Sequence, residues 1–238
     1  MGKYHEISFP GENKQYRKMR NELLDAEISL RKQIEAVASL RRKLPWGGKL
    51  KEDYVFEEGA ADLADGDTVH QVKFSELFYE GKDSLIIYSF MYPPDNDTPC
   101  PMCTSLLDGL NGAALHVKER VNFAVVAKSD IKKIRDWAQK RGWQNLHLLS
   151  SRANTYNRDY HAEFSDDSQL PAVNVFHRAG GEIYHFYNTE LLYLKSEKGQ
   201  HPRHVDLIWP IWNIFDLTPE GRGSDWYPKV PTRNQATR

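Results

Sequence analysis

Between residues 12 and 44 the apolar positions recur every seven residues: Tyr16, Leu23, Leu30, Val37 and Leu44. Met19, Ala26 and Leu40 fill three of the four intervening slots, and Gln33 interrupts the other. The pattern predicts one long helix, Glu12 to Leu44, with a narrow seam of the kind that packs on another helix. Such a helix would reach about 50 Å at 1.5 Å per residue. That length suits a helix laid along its own domain or an arm that pairs with a second copy of the chain. Leu44-Pro-Trp-Gly-Gly48 ends it, because proline cannot continue a helix and the glycines loosen the chain.

Beyond Gly48 the period shortens. Asp53 to Glu57 and Thr68 to Val72 read as short strands around a polar segment, 58–68, and Phe74 to Phe78 as a brief helical turn closed by Gly81. Ser84 to Tyr92, Val121 to Ala127 and Leu146 to Leu149 are mainly apolar runs that read as buried strands. Helices are expected at Thr104 to Lys118 and at Asp130 to Arg141, with Ser129 as N-cap and Gly142 closing the second. Alternating strands and helices argue a mostly parallel sheet. Ala172 to Phe176 and Glu182 to Tyr187 flank Arg178-Ala-Gly-Gly181 and predict an antiparallel hairpin. His204 to Phe215 is apolar nearly all round and reads as a deeply buried helix despite Pro210, with Trp209 and Trp212 as core residues. The organisation expected is a helical arm over 1–48, a domain over 49–223 and a loosely held tail over 224–238.

Composition narrows the chemistry. A net charge of −1 gives no electrostatic case for nucleic acid or an anionic membrane. The amino terminus lacks the apolar stretch of an export signal, and no apolar run is long enough to span a bilayer. The expected setting is the reducing cytoplasm. The only two cysteines, Cys100 and Cys103, stand as C-x-x-C between the strongest apolar strand and a helix start. Such a pair in that compartment points to redox chemistry or metal binding rather than to a structural disulfide. The N–H groups at a helix start favour a thiolate, the reactive form of cysteine.

A βαβ half, a hairpin and a final helix make up the thioredoxin arrangement, so the expected fold is α/β and thioredoxin-like, with a long N-terminal helix. The dithiol sits at its strand-to-helix junction, and Leu170-Pro171 precedes the hairpin. The chain from about 14 to 222 resembles a family of uncharacterised thioredoxin-like proteins described as dithiol–disulfide oxidoreductases or isomerases. The resemblance rests on Arg42-Lys-Leu-Pro-Trp46, Leu77-Phe78, Phe90-Met91, Cys100-Pro-Met-Cys103, Gly142-Trp143, Leu170-Pro171, Val175-Phe176 and, most specifically, Phe215-Asp-Leu-Thr-Pro-Glu-Gly-Arg222. It implies a thiol activity on a protein or small-molecule disulfide. The superfamily likeness of Leu170-Pro171 implies a cis-proline that lies against the dithiol and offers backbone to substrate.

Cysteine chemistry assigns Cys100 as the exposed nucleophile and Cys103 as the resolving thiol. Pro101 suits the first helical turn, and Thr98 is either a hydroxyl donor to the thiolate or a turn residue. No cofactor is expected. The strand before the dithiol has no carboxylate where thioredoxin carries a buried acid, which argues against fast general disulfide reduction. Three alternatives stay open. Pro94-x-x-x-Thr98-x-Cys100 is one residue short of a peroxiredoxin signature and allows a thiol peroxidase. His147 or His161 could join the cysteines in a zinc or copper site, although His116 falls on another face of the dithiol helix. The dithiol could also be vestigial in a non-enzymatic interaction module.

Overall fold

The computed structural model describes residues 3–164, 168–195, 197–198, 205–223 and 225–230. The helix start expected at His204 lies outside them, as do Ser224 and the tail beyond Val230. The chain divides into two compact units, Met1–Pro45 and Trp46–Arg238.

The first unit is built on α1 (Lys14–Arg42), slightly shorter at both ends than the seven-residue pattern suggests. Asn13 sets its start: the side-chain oxygen accepts the Tyr16 N–H at 2.8 Å and satisfies an otherwise orphaned helix donor. Arg41 and Arg42 complement the negative end of the helix dipole. No residue of α1 is buried, and Tyr16, Met19, Leu23, Leu30 and Leu40 all stand exposed along the seam.

The second unit holds β1 (Val55–Gly59), β2 (Val69–Lys73), a 3-10 turn (Phe74–Leu77), β3 (Ser84–Phe90), α2 (Pro101–Arg120), β4 (Asn122–Ala127), α3 (Ile131–Arg141), β5 (Leu148–Ser150), α4 (Tyr156–Asp159), β6 (Ala172–Ala179), β7 (Glu182–Asn188) and α5 (Pro210–Phe215). One seven-stranded sheet runs in the order β2-β1-β5-β4-β3-β6-β7. β3 is central, parallel to β4 and antiparallel to β6, with Leu85 opposite Asn122 on one side and Phe176 on the other. The βαβ unit around β3 and β4, followed by the β6–β7 hairpin on the far side of β3, is the thioredoxin topology. β5 and the β1–β2 hairpin extend the sheet beyond it. Gly180 and Gly181, at φ 60° and 82°, make the tight β6–β7 turn that residues with a Cβ seldom adopt. Among the described residues no helix is long and apolar enough to cross a membrane.

Both sheet faces are covered, which is why β3 and β4 read as continuous apolar runs rather than alternations. On one face Tyr88 and Phe90 of β3 pack with Leu106 and Leu107 of α2, Ile134 and Ala138 of α3, and Trp209 and Trp212. On the other, Leu85 and Ile87 meet an aromatic cluster of Tyr54, Phe56, Phe74, Tyr156 and Phe176. Asp108 ties α2 to the end of α3, accepting from Arg141 Nη2 at 2.5 Å and from the Trp143 indole at 2.8 Å. Gly142 closes α3 at φ 73°.

Three expectations need correction. Asp130, not Ser129, caps α3 by accepting the Lys132 N–H at 2.9 Å; the buried Ser129 hydroxyl donates instead to the Pro93 carbonyl at 2.9 Å. Pro210 begins α5 rather than interrupting a longer helix, because a first-turn position has no N–H bond to lose. As a result Trp209 and Trp212 are buried while Leu207, Ile214 and Leu217 are exposed, so the segment is half buried rather than enclosed.

Candidate active site

The dithiol sits where β3 hands over to α2. The connecting loop is pinned from several sides. The Cys100 N–H returns to the Met91 carbonyl at 3.0 Å, and the Tyr92 hydroxyl donates to the Asp97 carbonyl at 3.0 Å. From α3, the Lys133 ammonium donates to the Pro94 carbonyl at 2.8 Å. Pro101 occupies the first helical position, and Cys100 stands at the N-cap with extended backbone (φ −56°, ψ 124°). The Thr104 N–H closes the first helical bond on the Cys100 carbonyl at 3.0 Å.

One turn of helix separates two unlike thiols. Cys103 is 2% exposed and Cys100 half-buried, and both are free. The neighbours that favour the Cys100 thiolate are the Cys103 side chain first, then the Cys103 and Met102 N–H groups and Tyr227. Against the cost of burial, these hold the Cys100 thiol down at about 6, so Cys100 is mostly thiolate at neutral pH. Burial pushes the Cys103 thiol well above its ordinary value, and the neighbouring Cys100 sulfur adds to the shift. Beneath Cys103, the Tyr88 hydroxyl and the Met91 N–H are the groups that favour its thiolate.

The sulfurs open onto a cavity of about 220 Å³, lined mainly by apolar side chains that include Met91, Met102, Pro171, Leu192, Trp209 and Trp212. Pro171 lines the same cavity as the two cysteines, 68 residues after Cys103 in the chain. Its peptide bond is trans, as are all those described, which corrects the cis expectation. The Leu170 N–H is engaged with the Ala162 carbonyl at 3.0 Å, and the chain runs extended into β6, a course that the ordinary trans preference already serves. Leu170 itself is half-buried and does not line the cavity. Thr98 is exposed on the loop and is not among the groups that hold the Cys100 thiolate.

The candidate ligand histidines have other neighbours. His147 pairs with Glu58, which also takes His70 at 2.5 Å, and the exposed His116 pairs with Glu119. His161, at φ 55°, borders a separate cavity with His185 and Tyr193. Among the described residues no group of three or more His, Cys, Asp or Glu is placed to hold a metal ion.

Tyr88 and Tyr227 are site residues that sequence reasoning misses. Tyr88 has a faint signal, since with Phe90 it alternates onto the α2 face of β3. Tyr227 has only the aromatic pair Trp226-Tyr227 in an otherwise polar tail. The described part of that tail is packed: Trp226 lies edge-on to Trp212 at 5.3 Å and to Phe215 at 5.0 Å.

No curated protein matches the sequence. Among solved structures the chain is similar to the reduced 2-Cys peroxiredoxin of Plasmodium vivax, at 20% identity over 73% of this chain and 98% of that one, with a TM-score of 0.47. It is also similar to AhpC of Enterococcus faecalis, at 14% identity over 77% of this chain and 98% of that one, with a TM-score of 0.45. The family model described as Bacterial protein of unknown function (DUF899) matches residues 7–235, and the chain belongs to that family.

Proposed function

We propose that the chain is a thiol–disulfide oxidoreductase working through Cys100 and Cys103. The observation that carries this reading is the asymmetry of the pair: a half-buried thiolate at a helix N-terminus, with a buried thiol one turn behind it. The Cys100 thiolate attacks one sulfur of a disulfide R–S–S–R′. A Cys100–S–S–R bond forms, the R′–S bond breaks, and R′S⁻ leaves and takes up a proton. Cys103 then loses its proton to the leaving thiolate or to water and attacks the Cys100 sulfur, releasing RS⁻ and closing the Cys100–Cys103 disulfide. Two electrons pass from protein to substrate, and an external dithiol restores the reduced pair.

Consumption of the Cys100 charge in the first step removes part of what suppresses Cys103 ionisation. The Tyr88 hydroxyl and the Met91 N–H then receive the new thiolate. Burial holds the Tyr88 phenol protonated, so it donates a hydrogen bond and takes no proton. Pro171 forms part of the wall against which a substrate sulfur would rest. The reducing cytoplasm would supply the dithiol reductant.

Alkylation gel shifts across a dithiothreitol redox series test this reading. One reversible two-electron couple is expected, lost in both Cys100→Ser and Cys103→Ser. Absence of a disulfide at every poise overturns it. Peroxide consumption that survives Cys103→Ser but not Cys100→Ser would replace it with a thiol peroxidase. We assign the exposed seam of α1 to pairing with a second copy of the chain, and a monomer by light scattering at working concentration would end that assignment.

A further inference from the structure

A second cavity, of about 600 Å³, opens beside the β6–β7 hairpin and is of a size that suits a small molecule. It lies on the opposite face of the sheet from the dithiol. Asn174 of β6 stands opposite Ile87 of β3 and shares its face, whereas the cysteines border Tyr88. A β-bulge builds the cavity floor. Val175 pairs with Tyr187 but Phe176 with His185, so Phe186 is the extra residue. Three positions apart, His185 and Asn188 would point to opposite faces of a regular strand. The bulge turns both to the face of Asn174.

The floor holds hydrogen-bonding capacity that the protein itself does not use. Asn174 is fully buried, and its side-chain oxygen takes both His185 Nε2 at 3.0 Å and the Asn188 amide N–H at 2.8 Å. Among the described residues, Asn174 Nδ2 and Asn188 Oδ1 have no hydrogen-bond partner. An amide donor and an amide acceptor are thus left over on two bonded side chains, although buried polar groups are nearly always paired. Aromatic walls flank them. The Tyr160 ring lies 5.5 Å from His185, and the Tyr193 hydroxyl donates to the His161 carbonyl at 3.4 Å. The lining charges are answered within the protein, Lys49 by Glu182 at 2.8 Å and Asp159 by Lys51 at 2.6 Å. Burial keeps His185 neutral at pH 7, and Glu190 in the lining repels an anion.

We propose that this cavity binds a small, neutral, planar molecule with a carboxamide or lactam edge. Its carbonyl accepts from Asn174 Nδ2, its N–H donates to Asn188 Oδ1, and its ring packs on Tyr160 and Tyr193. A donor and an acceptor presented together match that edge, and the ligand supplies each group with the partner it lacks. A hydrocarbon would leave both unpaired. A carboxylate would meet Asn188 Oδ1 and Glu190 with no proton to donate. The site is independent of the thiol chemistry proposed above.

Saturation-transfer NMR titration of benzamide against the reduced full-length protein is the test. Saturable binding at about 1 mM is expected for a ligand of that size. Benzoate has the same shape without the N–H, and should bind at least about tenfold more weakly. Tyr193→Ala should weaken benzamide about three- to tenfold through lost ring contact. Asn174→Leu should weaken it about tenfold, and the half-buried Asn188→Leu makes the equivalent cut should Asn174→Leu fail to fold. The double variant Cys100→Ser, Cys103→Ser should bind benzamide as the unmodified protein does. Absence of saturable binding, equal affinity for benzoate, affinity unchanged in the tyrosine and asparagine variants, or loss of binding in the double cysteine variant each overturns the proposal.

Discussion

Two walls enclose the Cys100 sulfur, and different physics holds each. The near wall is β3 and the first turn of α2, within about a dozen residues of the cysteine. It works through the backbone: N–H groups of Met102 and Cys103 face the sulfur, and the Met91 carbonyl fixes the loop. The far wall comes from Pro171, Leu192, Trp209 and Trp212, with Trp226 packed edge-on to Trp212. It works through side-chain packing: aromatic edges and the Arg222 guanidinium 5.6 Å from the Trp212 ring centre. Helix geometry makes the near wall hard to alter without unfolding α2. Single side chains carry the far wall, so single substitutions can tune it.

The comparison can be broken most severely at the near wall. Cys100→Ser should abolish the two-electron couple entirely, read as loss of any disulfide in the redox series. At the far wall, Trp212→Ala should cost about 3–5 kcal/mol, the usual cost of deleting a buried indole, measured by denaturant unfolding. Cys103→Ser should leave attack intact but halt resolution, so that mass spectrometry finds a stable mixed disulfide with a model substrate. Arg222→Met should cost about 1–2 kcal/mol, with the Asp206 pair contributing most because Asp216 faces more solvent.

A further effect is expected on stability against pH. Cys100 falls from an ordinary 9.0 to about 6 on folding, so between those values the unfolded chain binds more protons than the folded one. Its contribution is complete above pH 9, diminishes as pH falls and is gone once pH drops through 6. Cys103 is shifted the other way, so its contribution is full below pH 9 and is lost as pH rises above it. The stability difference between reduced wild type and Cys100→Ser should therefore widen from pH 6 to pH 9. A difference that is flat with pH would show that the near wall does not favour the thiolate.

The two walls also differ in how far they can be read from residues alone. The apolar run of β3, the C-x-x-C and the helical spacing of Leu106, Leu107 and Ala114 are local, and periodicity exposes them. So is the hairpin with its Gly180-Gly181 turn. Pro171 was reachable because the order of elements brings the start of β6 beside β3. Nothing local marks Trp212 as a wall of the dithiol cavity, since its placement depends on packing between segments far apart in the chain. The apolar stretch up to Phe215 misleads for a related reason. Its indoles are buried by tertiary contacts, while Leu207, Ile214 and Leu217 remain in solvent without obeying any helical stripe. Thr98 has the suggestive spacing, yet it is exposed on the loop and is not among the groups that favour the Cys100 thiolate.

On the exchange reading proposed above, Tyr88 would set the tempo of the site. A carboxylate beneath the second cysteine would draw off its proton and let the pair close at once. A phenol held protonated by burial cannot do so. Once a substrate sulfur is bonded to Cys100, the covalent conjugate would therefore persist until solvent or the departing thiolate removes the Cys103 proton. The molecule would spend much of each turnover attached to its substrate, and residence time, rather than speed of attack, becomes the quantity that the strand residue controls.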